Sequence, residues 1–354
     1  MPRRNASLDG LRLLCALVSP FSSRAALRTA AAADAPWTAV LAQADRHRLI
    51  PALSVALARH GLGDRVDAEL ADILAAVADW NTERNEGLRR QMRAVSAALN
   101  AAGIAPVWLK GALTLLPPAG PAAGRQMSDL DLWLPEAAAQ RTAGAVLRGL
   151  GYDAEGHEWK EGAHYPPYFH PDEMARIELH RTVLDPDQSA LLPPEEAAQA
   201  VEWLDWDGLR IGRLDPLGRL LNAFAQCTRP QDHLLRVSTV PLMKALEFVV
   251  RIHDDFGGTL PPAFVERAVA AGWERPAQRL LTVTERYFGL PSPLPADPAQ
   301  LEMLERFTRH PRWHYTRRAL RTAVGAEGWG LWREPWRIPG IVAGYLARMA
   351  PLGR

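Results

Sequence analysis

The sequence predicts an α+β fold in which helical segments at both ends of the chain enclose a stretch of short strands. Three observations lead there. Residues 6–100 carry apolar positions at helical spacing. Between about 105 and 214, short runs alternate apolar with polar residues, as strands with one buried face do. From Asp215 onward the spacing is helical again, broken at Gly257-Gly258 and at Pro291-Ser292-Pro293-Leu294-Pro295. The expected units are a helical region over 1–100, a strand-containing core over 101–214 and a helical domain over 215–354.

Ser7-Leu8-Asp9 offers caps for a first helix, along which Leu11, Leu13, Leu14 and Leu17 recur at roughly helical spacing. Arg12 interrupts this apolar run and Asp9 precedes it, which argues against an export signal despite Arg3-Arg4. Pro36 suits a first helical turn, with Trp37, Val40 and Leu41 inward. Arg46-His47-Arg48 falls where that helix ends, a position where the dipole favours cations. Residues 51–61 form another short amphipathic stretch, and 66–102 read as one long or broken helix. Its Glu83, Arg84, Glu86, Arg89, Arg90 and Arg93 read as a solvated face, and Gly103 suits its C-terminal cap.

Residues 105–109 are an apolar strand that stops at Lys110-Gly111. A lysine between a strand and a glycine can place an ammonium beside a bound phosphate, the glycine letting the backbone come close. Lys110 is one of three lysines, with Lys160 and Lys244; arginine supplies the other strong bases. A loop around Pro117-Pro118-Ala119-Gly120-Pro121 leads to Ser128-Asp129-Leu130-Asp131-Leu132-Trp133-Leu134. The strand period of two puts Asp129 and Asp131 on one face and turns Leu130 and Leu132 into the core. Two carboxylates so placed repel unless a cation lies between them. A bare D-x-D fits an exposed strand edge with two solvated acids better than a metal site; the neighbours shift the balance toward a metal. Arg125 is four residues ahead of Asp129, in reach of the carboxylates or of an anionic ligand. Arg176-Ile177-Glu178-Leu179-His180 alternates too and puts Glu178 and His180 on one face. Glu178 is then a third carboxylate, as a site for two ions about 3.5–4 Å apart requires.

Pro135-Glu136 opens a helix that runs to about Leu150. Residues 153–182 read as hairpin material, with arms at 165–170 and 175–180 around Pro171-Asp172-Glu173. His164, His170 and His180 lie there, either as a metal site or as half-exposed polar residues. Residues 201–208 repeat the acid–apolar alternation, but Asp207-Gly208 reads better as a turn before a strand at 209–214. Helices are expected over 216–227, 234–256, 262–271 and 277–288. The tail's Trp313, Trp329, Trp332 and Trp336 read first as packing and second as an aromatic–basic surface for a nucleotide or RNA.

At 354 residues the chain has room for two or three domains. A net charge of +1 leaves no strong nucleic-acid or membrane-surface footprint. Cys15 and Cys227 make no disulfide framework and read as buried thiols in a reducing compartment. No stretch approaches the roughly 18 apolar residues that span a membrane, so a soluble, cytoplasmic protein is expected. Abundant alanine and arginine with scarce lysine match the bias of a high-GC bacterial genome. Dinucleotide, P-loop, zincin and nucleophile-elbow motifs are all missing, and no repeat stands out.

Taken together, Leu109-Lys110-Gly111, Arg125-Gln126-Met127-Ser128-Asp129-Leu130-Asp131-Leu132 and Ile177-Glu178-Leu179-His180 resemble the uncharacterised nucleotidyltransferase family of the DNA-polymerase-β-like superfamily. The resemblance covers about residues 100–182 most strongly. It implies a small mixed sheet with flanking helices, the polymerase-β-like nucleotidyltransferase core, over residues 101–214. It also implies transfer of a nucleoside monophosphate from a nucleoside triphosphate to a hydroxyl acceptor, with release of pyrophosphate. Asp129, Asp131 and Glu178 would be the catalytic ligands of two Mg²⁺ (or Mn²⁺) ions. Lys110, Gly111, Arg125, Ser128 and His180 would bind the nucleotide. The acceptor stays open between a small molecule, a protein hydroxyl and an RNA end. In two respects the chain departs from the superfamily: Ala112 follows Gly111 where a serine or glycine is usual, and Asp129 lies eighteen residues beyond Gly111 instead of about a dozen. The alternatives are a non-catalytic nucleotide-sensing or partner-binding module on the same fold and, less favoured, a D-x-D glycosyltransferase. The latter would need a large α/β nucleotide-binding domain before the motif.

Overall fold

The computed structural model describes residues 5–32, 35–116, 124–154, 165–228 and 241–310. The Pro117–Pro121 loop, His164, the first part of the helix expected from 234 and the tail tryptophans lie outside them.

The chain opens with α1 (Ala6–Val18), α2 (Arg24–Ala30), α3 (Trp37–Arg46) and α4 (Ile50–His60). The cap of α1 is Asn5, whose side-chain oxygen accepts from the Leu8 N–H; Ser7-Leu8-Asp9 already lies inside the helix. His47, after α3, is buried, and burial, then Arg46, pushes its imidazole down to about 3, so it is a neutral core residue. Next comes α5 (Ala68–Ala101), 34 unbroken residues capped by Asp67 and about 51 Å long. Its charged run is not simply solvated. Arg84 donates to the Met127 carbonyl from Nε (3.2 Å) and Nη2 (2.9 Å), while Arg89 and Arg93 lie over the Trp206 ring. The helix runs against the sheet, so long arginine stems reach across to it.

Seven strands form one mixed sheet: β1 (Val107–Trp108), β2 (Asp129–Trp133), β3 (Asp153–Ala154), β4 (Tyr168–Phe169), β5 (Arg176–His180), β6 (Val201–Trp206) and β7 (Leu209–Leu214). The order across it is β3-β4-β5-β2-β1-β7-β6, with β2/β5 and β1/β7 parallel and the other pairs antiparallel. The β6–β7 hairpin closes on Asp207 (φ 52°) and Gly208 (φ 82°), two left-handed residues as a type I′ turn requires. The second acid–apolar run is therefore an edge strand, with Glu202 paired to Arg213. Helix α6 (Ala137–Gly149) follows β2, and α7 (Pro194–Gln199) precedes β6.

Five more helices end the described chain: α8 (Pro216–Thr228), α9 (Leu242–Phe256), α10 (Pro262–Ala270), α11 (Glu274–Phe288) and α12 (Ala299–Arg309). The last was not foreseen. Two apolar cores result. One joins the sheet to α5 and α6 through Trp108, Leu130, Leu132, Ile177 and Leu179, packed with Leu88, Met92, Val95, Leu99 and Leu147. The other joins α1–α4 to α8–α12 and takes in Val107, Leu109 and Trp133 from the sheet's opposite face. The two helical regions, distant in sequence, thus share a core: Ser19 Oγ donates to the Phe288 carbonyl (2.6 Å) and Ser7 Oγ to that of Thr308 (3.1 Å). No helix among the described residues is long and apolar enough to cross a membrane.

The contact between α1 and α3 turns on Gly10, where an added Cβ would lie 2.7 Å from the Ala39 carbonyl carbon. Alanine would raise helix propensity by about 1 kcal/mol. Overpacking costs about 1–3 kcal/mol and backbone cannot yield as a side-chain end can. Gly10→Ala should therefore lower the midpoint of urea unfolding; a raised midpoint would contradict the close approach of these helices.

Candidate active site

The centre is built from three backbone pieces. Strand β1 ends where the Leu109 N–H donates to the Asp131 carbonyl (3.0 Å). Lys110 then takes φ 50° and opens a 3₁₀ segment, Lys110–Leu115. A side-chain-bearing residue in this left-handed region costs about 1–2 kcal/mol, so the turn is held by its surroundings. Strands β2 and β5 lie parallel in register, with Asp131 opposite Glu178 and Trp133 opposite His180. Leu130, Leu132, Ile177 and Leu179 are fully buried on the other face, as the alternation predicts. The acid face is the one that carries Trp133, so it looks toward the layer of terminal helices.

Lys110 Nζ lies 2.5 Å from Asp131 Oδ1 and 3.3 Å from His180 Nε2, and His180 Nε2 lies 2.8 Å from the same carboxylate oxygen. Asp131 and His180 are buried and Lys110 nearly so. Burial pushes the Asp131 carboxyl up, but the Lys110 ammonium and then His180 outweigh it and hold it well below the usual range. Asp129, half-buried nearby, goes the other way. Burial and then the Asp131 charge raise it, with Lys110 and Arg125 opposing.

The donor set fits a divalent cation. Asp131, Glu178 and His180 each offer one ligand atom, all within 4.8 Å of one another. Two carboxylates and an imidazole suit Mn²⁺, and the carboxylates suit Mg²⁺. Asp129 stands outside this trio, one strand repeat along the same face.

The expected nucleotide-binding residues take different places. Ser128 is exposed beside Asp129, while His180 is fully buried inside the cluster. Gly111 is buried, and a Cβ there would lie 2.9 Å from Met127 Sδ, so its lack of a side chain makes room for Met127, while Arg125 Nη2 at 3.5 Å would be in ordinary contact. Arg125 Nη2 lies 3.1 Å from Glu247 Oε2 on α9. The Arg125 carbonyl accepts from Asn81 Nδ2 (3.1 Å) and Asn85 Nδ2 (3.0 Å), both fully buried on α5. His170 lies away from the cluster, against the Tyr152 ring at 5.2 Å.

Four residues around the site were not singled out for it from the sequence: Asn81, Arg84, Asn85 and Glu247. The asparagines did leave a signal. They continue the stripe of Leu88, Met92, Val95 and Leu99 along α5, where amide side chains on an apolar face demand partners. Nothing in the sequence points to Glu247, which reaches the site through tertiary packing.

A family model described as an uncharacterised nucleotidyltransferase matches residues 33–289, well over half of the chain. No curated protein and no solved structure matches.

The depressed carboxyl of Asp131 has a pH signature. Its contribution to stability is present above the unfolded-state value, about 3.9, and is lost as the pH falls toward the lower folded value. In metal-free buffer, Asp131→Asn should be destabilised near neutral pH, and its deficit against wild type should shrink below about pH 4. Urea unfolding at several pH values measures this; a deficit constant with pH would contradict it.

Proposed function

Because the chain belongs to the uncharacterised nucleotidyltransferase family, we propose that it moves a nucleoside monophosphate from a nucleoside triphosphate to a hydroxyl acceptor at the face carrying Asp129, Asp131 and Glu178. The observation that carries this reading is the parallel register that sets Asp131 opposite Glu178. In the reaction the acceptor oxygen bonds to the α-phosphorus, the bond to the β-phosphate oxygen breaks, pyrophosphate leaves and the hydroxyl proton passes to solvent. Two divalent cations, Mg²⁺ or Mn²⁺, held by Asp129, Asp131, Glu178 and His180, would supply Lewis acidity at the acceptor hydroxyl and at the phosphates.

The chain's own groups have separable tasks. Asp131 stays ionised at any ordinary pH and is ready to act as a ligand. Buried His180 keeps Asp131 oriented and so belongs with the ligands more than with the nucleotide. At rest the Lys110 ammonium sits on the oxygen that a divalent cation needs. Displaced from it, the same ammonium can pair with phosphate oxygens, and Arg125 adds further N–H donors. Gly111 and Ser128 border the phosphate side. The functional unit is the 101–214 core, served by α5 from the 1–100 region and α9 from the 215–354 region. The acceptor hydroxyl is that of a small molecule, a protein or an RNA end.

A second reading, a non-catalytic nucleotide sensor on the same fold, is supported by buried Ala112 at the position where the superfamily resemblance leads one to expect serine or glycine. The glycosyltransferase alternative is disfavoured, since the described residues ahead of β1 are helical and make no α/β domain.

The test is transfer of α-phosphate-labelled ATP, GTP, CTP and UTP into the protein and a cell extract, with Mg²⁺ or Mn²⁺. Wild type should label an acceptor, and the Asp129→Ala/Asp131→Ala double variant should lose roughly a hundredfold or more. Metal-dependent nucleotide binding without label would favour the sensor. Equal labelling by the folded double variant would sink the assignment.

A further inference from the structure

We propose that Glu247 is a positioning residue that aims the Arg125 guanidinium at the nucleotide's phosphates, so that α9 of the C-terminal helical region is part of the nucleotide site. The inference rests on the nucleotidyltransferase reading above and adds a specificity determinant to it.

Arginine carries about 2 kcal/mol of rotamer entropy, so a partner that holds its side chain in place strengthens its grip on phosphate. Arg125 is held at both ends. Asn81 and Asn85 clamp its carbonyl from α5, and Glu247 Oε2 takes Nη2 at 3.1 Å from α9. The Arg125 and Glu247 side chains are only 18% and 15% exposed. Arg125 Nε and Nη1 are buried without a hydrogen-bond partner among the described residues. Unsatisfied buried donors cost about 1–3 kcal/mol each, a cost that a bound anion removes. The guanidinium also lies against Gly111, next to Lys110, with Nη2 3.5 Å from where a Cβ would stand. Glu247 thus fixes one nitrogen of a cation whose other donors remain available on the phosphate side. Its charge faces Arg125 and the half-buried Arg251, which sets it apart from the ligand carboxylates.

A merely structural ion pair between the core and α9 would have the same geometry and a different signature. If Glu247 aims Arg125, its loss weakens triphosphate binding selectively and spares metal binding. The experiment is calorimetric titration of the full chain with α,β-methylene analogues of ATP, GTP, CTP and UTP, and with the matching monophosphates, in Mn²⁺. The variants are Arg125→Ala, Glu247→Ala and the isosteric Glu247→Gln.

The preference for triphosphate over monophosphate should fall about tenfold in Arg125→Ala and comparably in Glu247→Ala, with Mn²⁺ affinity unchanged. Glu247→Gln should fall less. If the preference drops in Arg125→Ala but holds in Glu247→Ala, the positioning role is wrong and the site reading stands. Equal weakening of both ligands in Glu247→Ala would mean a structural role and would also overturn it. Should the alanine variant not fold, the glutamine variant decides: an unchanged preference rejects the proposal. Wild type that binds no nucleotide would remove the site reading and this inference together.

Discussion

A carboxylate buried in the sheet needs a cation, and much of the centre's local geometry follows from that requirement. Asp131 is 3% exposed on a strand flanked on both sides. An uncompensated charge there would cost several kcal/mol. Lys110 compensates it, and to bring its ammonium there β1 stops after two residues and the backbone takes a left-handed turn. The parallel partner β5 adds His180 to the same oxygen and Glu178 opposite it. The resting centre is therefore a closed ion-pair network at the place where a divalent cation would find its ligands.

The network lies on the side of the sheet that faces the terminal helices. Trp133 shares the acid face and packs into the helical core, so that face is turned toward the layer of terminal helices. The segment leading into β2 is gripped from two directions, by Asn81, Arg84 and Asn85 of α5 and by Glu247 of α9. Helix α9 is anchored through Phe248, Val249 and Ile252 in the core that also holds α1–α4. Distant parts of the chain thus bear on where Arg125 and Asp129 stand.

Where local chemistry decided the outcome, it was legible in the sequence. The two-residue period of Asp129–Asp131 and Glu178–His180 put the right side chains on one face, and Asp207-Gly208 announced its hairpin. What was missed depends on packing that no local pattern records. Arg84 looked solvated because its partner is a carbonyl 43 residues away. The cap of α1 moved to Asn5, since Ser7 and Asp9 lie within the helix. The period put His180 on the face of Glu178, but its full burial and its contact with Asp131 come from tertiary packing. Glu247 could not be foreseen, because its role follows from the docking of α9.

Lys110 Nζ sits on Asp131 Oδ1, so a divalent cation bound by that carboxylate would have to compete with it. Manganese binding without nucleotide, followed by electron paramagnetic resonance on wild type and Lys110→Met, tests it most directly, with unfolding curves confirming that both are folded. The variant should bind Mn²⁺ more tightly, by about tenfold or more, because the competing ammonium is gone. Equal or weaker Mn²⁺ binding by a folded Lys110→Met protein would contradict it.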